Sequence, residues 1–161
     1  MLLNINESSR KEGGSKLSIF DGLAINTSGL ALERLKLDTI STNIANVNTN
    51  TTADGGPYRA KSVLFAENVK NAGQSNSTIA NNGQMSYGVK VTGIQQDNSV
   101  KRTYDPTSPQ ADQNGYVETS NVNLADQMVD MIQAMRTYEA NETAAESNKE
   151  MLKKALEISK G

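Results

Sequence analysis

The chain contains no cysteine, no histidine and no tryptophan. Without cysteine there is no disulfide framework and no thiolate nucleophile, and the redox compartment stays open. Without histidine, imidazole base catalysis and the usual zinc ligand sets are excluded as well. Aromatic residues are 4% of the sequence and apolar residues 36%. Aromatic side chains usually supply much of a core's buried area, so a chain this poor in them is expected to complete its core by assembling with neighbours. The net charge is only −2, with 16 basic and 18 acidic residues. No basic block is interleaved with aromatics, which argues against nucleic-acid binding. No apolar run approaches the roughly 20 residues of a membrane span. The start, MLLNINESSRKEGGSKLS, lacks the pattern of a cleaved secretory signal and reads as a flexible extension over 1–17.

Asn, Thr, Ser and Gln are abundant instead. A helix pattern begins near Ser18, where Leu23, Leu30, Leu37 and Ile44 recur every seven residues, with Ile40 and Val47 beside the last two. Gly29 stands inside it, where a close contact or bend is expected. Asn43, Asn46 and Asn50 run alongside the apolar positions, and an amide row inside a helix suits a polar contact between helices that sets register, with these amides expected to face neighbouring subunits. The terminal segment keeps an unbroken seven-residue register through Leu124, Met131, Tyr138, Ala145 and Leu152. Met128, Met135 and Leu156 are its expected companions. Asn121 or Asn123 is placed to cap this helix, with Asp126 near its N-terminus and Lys153, Lys154 and Lys160 near its end.

Between the helices, ADGGPY breaks the first one at Gly55, Gly56 and Pro57. A strand is expected around Lys61–Phe65, a loop over 71–84, and a second strand at GVKVTGI, with VKRTY pairing to it after the Asp97–Asn98 turn. DPTSPQADQNGYV, with Asp105, Pro106, Pro109 and Gly115, reads as an ordered loop. The expected fold is mainly α with a small β-rich insertion. Helices within 18–50 and 121–161 form one helical unit, packed as a coiled-coil-like pair, and 51–120 is the insertion. Leu32, Leu35, Val129, Ile132 and Ala155 flank the seams and remain to be buried by other chains.

Catalytic signals are weak. Ser8 and Lys11 have an S-x-x-K spacing without its supporting motifs. Glu139, Glu142, Glu146 and Glu150 fit a solvated helix face with i,i+3 and i,i+4 lysine pairs better than a carboxylate site. Asp112, Asn114 and Gly115 lack the remaining ligands of a calcium loop and read as a turn. No metal, cofactor or small-molecule substrate is expected.

The stretch SGLALERLKLDTISTNIANVNT closely resembles the N-terminal signature of the flagellar axial family of rod, hook and filament-junction proteins. ADGGPYRAKSVLF and the run from GVKVTGI to LEISK are similar to the proximal-rod type within that family, although Ser108 and Ser120 stand where its pattern has His and Pro. The resemblance implies a structural subunit of the basal-body rod, without catalysis. It also implies stacking with copies of itself and other rod proteins, contact with the membrane-ring and rod-adaptor proteins at the base, and export through the flagellar type III apparatus without signal cleavage. Terminal helices would line the inner tube, with the β-rich part outside. The alternatives are another axial component (distal rod, hook or junction) and, far behind, a wall-cleaving rod-associated enzyme.

Overall fold

The computed structural model describes residues 19–71 and 84–160, so the expected 1–17 extension and most of the 71–84 loop lie outside it. The order is α1 (Ile19–Ala45), β1 (Lys61–Asn71), β2 (Gln84–Gln96), β3 (Lys101–Tyr104), β4 (Tyr116–Thr119) and α2 (Leu124–Lys160). The architecture is thus two helices with a small antiparallel β region between them. Among the described residues no helix is long and apolar enough to cross a membrane.

In the Thr- and Asn-rich end of α1 the polar side chains fold back on the helix's own carbonyls, which satisfies them without breaking the backbone ladder. Thr39, Thr42 and Asn46 each donate to the carbonyl four residues back, at 2.8, 2.8 and 2.9 Å. The last turn then tightens, Val47 N–H reaching the Ile44 carbonyl and Thr49 N–H that of Asn46. A turn follows in which Gly55 and Gly56 have φ of 83° and 78°, a region that favours glycine. Pro57 and Tyr58 after it are buried.

β1 and β2 form a long two-stranded ribbon with register shifts at Leu64/Phe65 and between Glu67 and Val69. The ribbon lies on α1. At Gly88, φ 97°, an added Cβ would collide with the Ser28 hydroxyl and stand 3.2 Å from Ile25 Cα. Val89 N–H donates to that hydroxyl at 3.1 Å. β3 pairs with β4 and not with β2, contrary to the expected VKRTY–GVKVTGI hairpin. The cause is Asn121, whose amide holds the 97–99 turn by donating to the Asp97 carbonyl and to the Ser99 carbonyl and hydroxyl. Its Oδ1 accepts from Ala60 N–H at 2.7 Å. The capping role falls to Asn123, whose Oδ1 accepts from Ala125 N–H at 3.1 Å.

The β3–β4 connection is ordered by two aspartates. Asp105 Oδ1 accepts from both the hydroxyl and the N–H of Thr107, at 2.7 and 3.1 Å, and Asp112 Oδ1 accepts from Asn114 and Tyr116 N–H. Gly115, φ 80°, sits against Pro106 and the Tyr104 ring, which stacks edge-on with Tyr116 at 5.3 Å. Pro109 is exposed, and neighbouring Gln110 reaches back to Thr51 at 2.7 Å. The bonds from Thr107 hold the Asp105 carboxyl below its ordinary value. Its folded pKa is depressed, so the turn's gain is present above about pH 4 and is lost as pH falls through the folded value.

The innermost point of the molecule is polar. Asn43 is 1% exposed. Its Nδ2 donates to the Lys61 carbonyl and to Gln127 Oε1, both at 2.8 Å. Its Oδ1 accepts from the Tyr58 hydroxyl and from Lys61 N–H, both at 3.0 Å. Two donors and two acceptors exhaust what an amide side chain can do. Burial raises the Tyr58 phenol above its ordinary value, so it remains protonated and donating at neutral pH.

Two predictions follow from these contacts. Asn43→Leu, which strands four partners, one of them buried and three part-buried, is expected to cost about 3–5 kcal/mol. Tyr58→Phe, which removes one donor, is expected to cost about 1 kcal/mol. Urea unfolding of the full chain measures both, and equal losses would refute the assignment. In an NMR titration, the Thr107 amide should report an acid transition below the ordinary carboxylate range, absent in Asp105→Asn.

Candidate assembly interface

α1 and α2 run antiparallel, and three contacts define their facing sides. A Cβ on Gly22 would lie 3.3 Å from Asn148 Nδ2, and one on Gly29 2.7 Å from Asn141 Nδ2. Asn43 bonds Gln127. The α1 partners step by seven and fourteen residues, and the α2 partners step back by the same amounts. The row of α2 toward α1 is therefore Gln127, Ala134, Asn141 and Asn148, with Ala134 buried and the three amides partly so. Beside it run Met131, Tyr138, Ala145 and Leu152, all half-buried, in the register that the sequence displays.

The expected companions do not occupy the seam. Met128 and Met135 are 51% and 49% exposed, because the second row of the pair consists of small and amide residues that admit close backbone approach. Leu124 is also exposed. Leu156 is 62% exposed and lies beyond the level at which the described residues of α1 begin. On α1 the best-buried apolar residues are Leu32 and Ile40. Leu23, Leu30, Leu37, Ile44 and Val47 are half-buried.

These half-buried and exposed residues belong to one side of the helix pair. At about 100° per residue, Leu23, Leu30, Leu37 and Ile44 lie roughly 60–120° round α1 from the Gly29–Asn43 row. Ile25 and Ser28, which meet the ribbon at Gly88, lie on the opposite flank. Leu124, Met128 and Met135 are displaced about 80–120° in the same sense round α2. For antiparallel helices, equal displacements fall on the same side of the pair. On the other side Asp130, Gln133 and Thr137 join Glu33, Lys36 and the start of β1 around an open groove of about 310 Å³. There Lys36 pairs with Glu33 at 2.9 Å and sits 4.8 Å over the Phe65 ring. The molecule thus has a polar side covered by the ribbon and an apolar side that no other described element covers.

Of the amide row seen in the sequence, Asn43 is consumed inside the chain and does not reach the surface. Asn46 bonds the Thr42 carbonyl and the Thr49 hydroxyl, so it serves the end of α1. Asn50 lies at a second hollow shared with Gly56, Pro57, Arg102 and Val117. The residues that sequence reasoning missed are Gln127, Asn141, Asn148 and Gly22. Their signal was present as a seven-residue repeat of amides and glycines, which an apolar search passes over.

Comparisons with known proteins agree with this architecture. A profile described as "Flagella basal body rod protein" matches residues 23–50, which hold most of α1 and the turn after it. One described as "Flagellar basal body rod FlgEFG protein C-terminal" matches residues 113–158, which hold β4 and most of α2. The flagellar basal-body rod protein FlgC of Borreliella burgdorferi is 44% identical, over 90% of this chain and 100% of its own length. Those of Bacillus subtilis and Salmonella typhimurium are 38% and 36% identical, over 89% and 88% of this chain and 100% and 96% of theirs. With helices, insertion and both profile matches in the same order, the chain belongs to the FlgC family of flagellar basal-body rod proteins.

Proposed function

We propose that the chain acts in the rod through the apolar side of its helix pair. The protein is a structural subunit of the flagellar basal-body rod and not an enzyme, and it assembles with other rod components. The observation that carries the interface reading is the alignment of Leu23, Leu30, Leu37 and Ile44 with Leu124, Met128 and Met135 on one uncovered flank. Exposed Leu124, Met128 and Met135 beside half-buried Leu23, Leu30, Leu37 and Ile44 make an apolar flank of the kind that serves a protein–protein contact. Met131, Tyr138 and Leu152 at the seam's edge extend the same surface, as does Leu156 toward the end of α2. Copies of this chain and sister rod proteins are the partners proposed for it.

In this reading the helices supercoil as an antiparallel coiled pair and, with the 18–50 and 121–161 segments, form the inner helical domain of the rod. The 51–120 insertion packs outside it. A heterologous contact that repeats without closing builds a helical polymer, which suits a drive shaft carrying torque toward the hook. Adaptor and ring proteins at the base, and the type III export apparatus that delivers the chain unfolded, complete the proposed partners. Marginal burial supports that route, since the described core rests on six well-buried apolar residues and one amide hub.

Met128→Lys with Met135→Lys tests the interface. Both side chains are about half exposed, so the isolated chain should change stability by no more than about 0.5 kcal/mol per site. Export should continue, while rods in purified basal bodies are lost and cells fail to swim. Normal swimming would refute the interface.

A further inference from the structure

We infer that Gln127 is the register-setting residue of the helix pair, acting as an acceptor for Asn43, and that the glycine–asparagine contacts grip the pair without choosing its register. The apolar pattern is degenerate. Leu23, Leu30, Leu37 and Ile44 repeat every seven residues, as do Met131, Tyr138, Ala145 and Leu152. A slip of α2 by seven residues, about 10 Å, moves each of these two rows along itself and keeps apolar residues facing apolar residues between them. The glycine contacts are degenerate in the same way. One slip brings Gly29 opposite Asn148, and the reverse slip brings Gly22 opposite Asn141, so a glycine still faces an amide in both.

The Asn43–Gln127 contact does not repeat. The first slip sets Asn43 opposite Ala134 and the second sets it opposite Ser120. In the first, Nδ2 keeps the Lys61 carbonyl but loses the second of its two acceptors, on a side chain that is 1% exposed. In the second, Asn43 again leaves Gln127 and stands at the level of Ser120, which precedes the start of α2, while Lys36 takes the place opposite Gln127. A single buried polar pair in an otherwise repeating seam is a known physical means of excluding alternative registers. Only the Oε1 of Gln127 is used by Asn43, so acceptor chemistry matters here and not the amide as such.

Cross-linking of the purified full-length chain tests this, and the absence of native cysteine makes each pair report alone. Gly29→Cys with Asn141→Cys reports the observed register, and Gly29→Cys with Asn148→Cys the seven-residue slip. In the parent background, the first pair should form its disulfide at least tenfold more than the second. Adding Gln127→Leu, similar in size but without an acceptor, should raise the slipped product at least fivefold. Gln127→Glu retains an acceptor and should leave the parent ratio unchanged. Should Gln127→Leu lose its helical circular dichroism, Gln127→Ala takes its place with the same expectation. The inference is overturned if the acceptor-free variant keeps the parent ratio, or if Gln127→Glu slips as far as Gln127→Leu.

Discussion

One buried amide ties four parts of the chain to a point. Asn43 holds the end of α1, the residue after the Gly-Gly-Pro turn, the first residue of β1 and the first turns of α2. Its neighbour across the junction, Asn121, takes the adjacent backbone N–H at Ala60 and closes the 97–99 turn. Consecutive amides at 60 and 61 are therefore gripped from two sides, by Asn43 of α1 and by Asn121 in the segment before α2. An amide suits this junction because it donates twice and accepts twice, whereas an apolar residue would leave the crossing backbone unpaired. With few aromatics to fill a core, the chain uses directed bonds at the place where its elements converge. Ile40, Tyr58, Val117, Val122 and Ala134 bury what apolar surface the chain does bury near that level.

Fixing the junction leaves the rest of the helix pair free to serve assembly. Gly22 and Gly29 let α2 approach closely, so the pair is held by backbone proximity and amide contacts more than by interlocked large side chains. Large apolar residues that would fill a self-sufficient seam stand instead on one flank. Under the interface proposed above, a subunit built this way gains its missing burial in the polymer, where neighbouring chains supply the other half of the contact. That division suits a protein of the FlgC family, whose work is mechanical continuity within the basal-body rod.

The β region shows the opposite economy. Its ribbon is anchored to α1 at Gly88 and Ser28 and by the cation–π contact of Lys36 with Phe65, while Leu64, Val91 and Ile94 remain exposed. The short β3–β4 hairpin is shaped by local side-chain bonds from Asp105 and Asp112. Neither sheet encloses a core of its own, which is why both depend on the helix junction for their placement.

The sequence by itself determined the helix–insertion–helix plan, the seven-residue registers and the rod-family membership, although the start of β4 (Tyr116–Thr119) reads in it as loop. Those features are local or repetitive, and the Asn/Thr-rich signature and the D-P-x-x-P-x-A-D-x-x-G-Y-V turn are read along the chain. It also singled out Asn43, because an amide inside a helix asks for a partner, expected from sequence in a neighbouring subunit. Only the tertiary structure decided that the partner lies within the same chain, since Gln127 is 84 positions away. It likewise decided that β3 joins β4, through the distant Asn121, and that Met128 and Met135 leave the seam. Periodicity gives the angle of a side chain round its own helix, but the neighbour at that angle depends on how closely the second helix can approach. Here glycine and asparagine set that approach, and hydropathy does not register them.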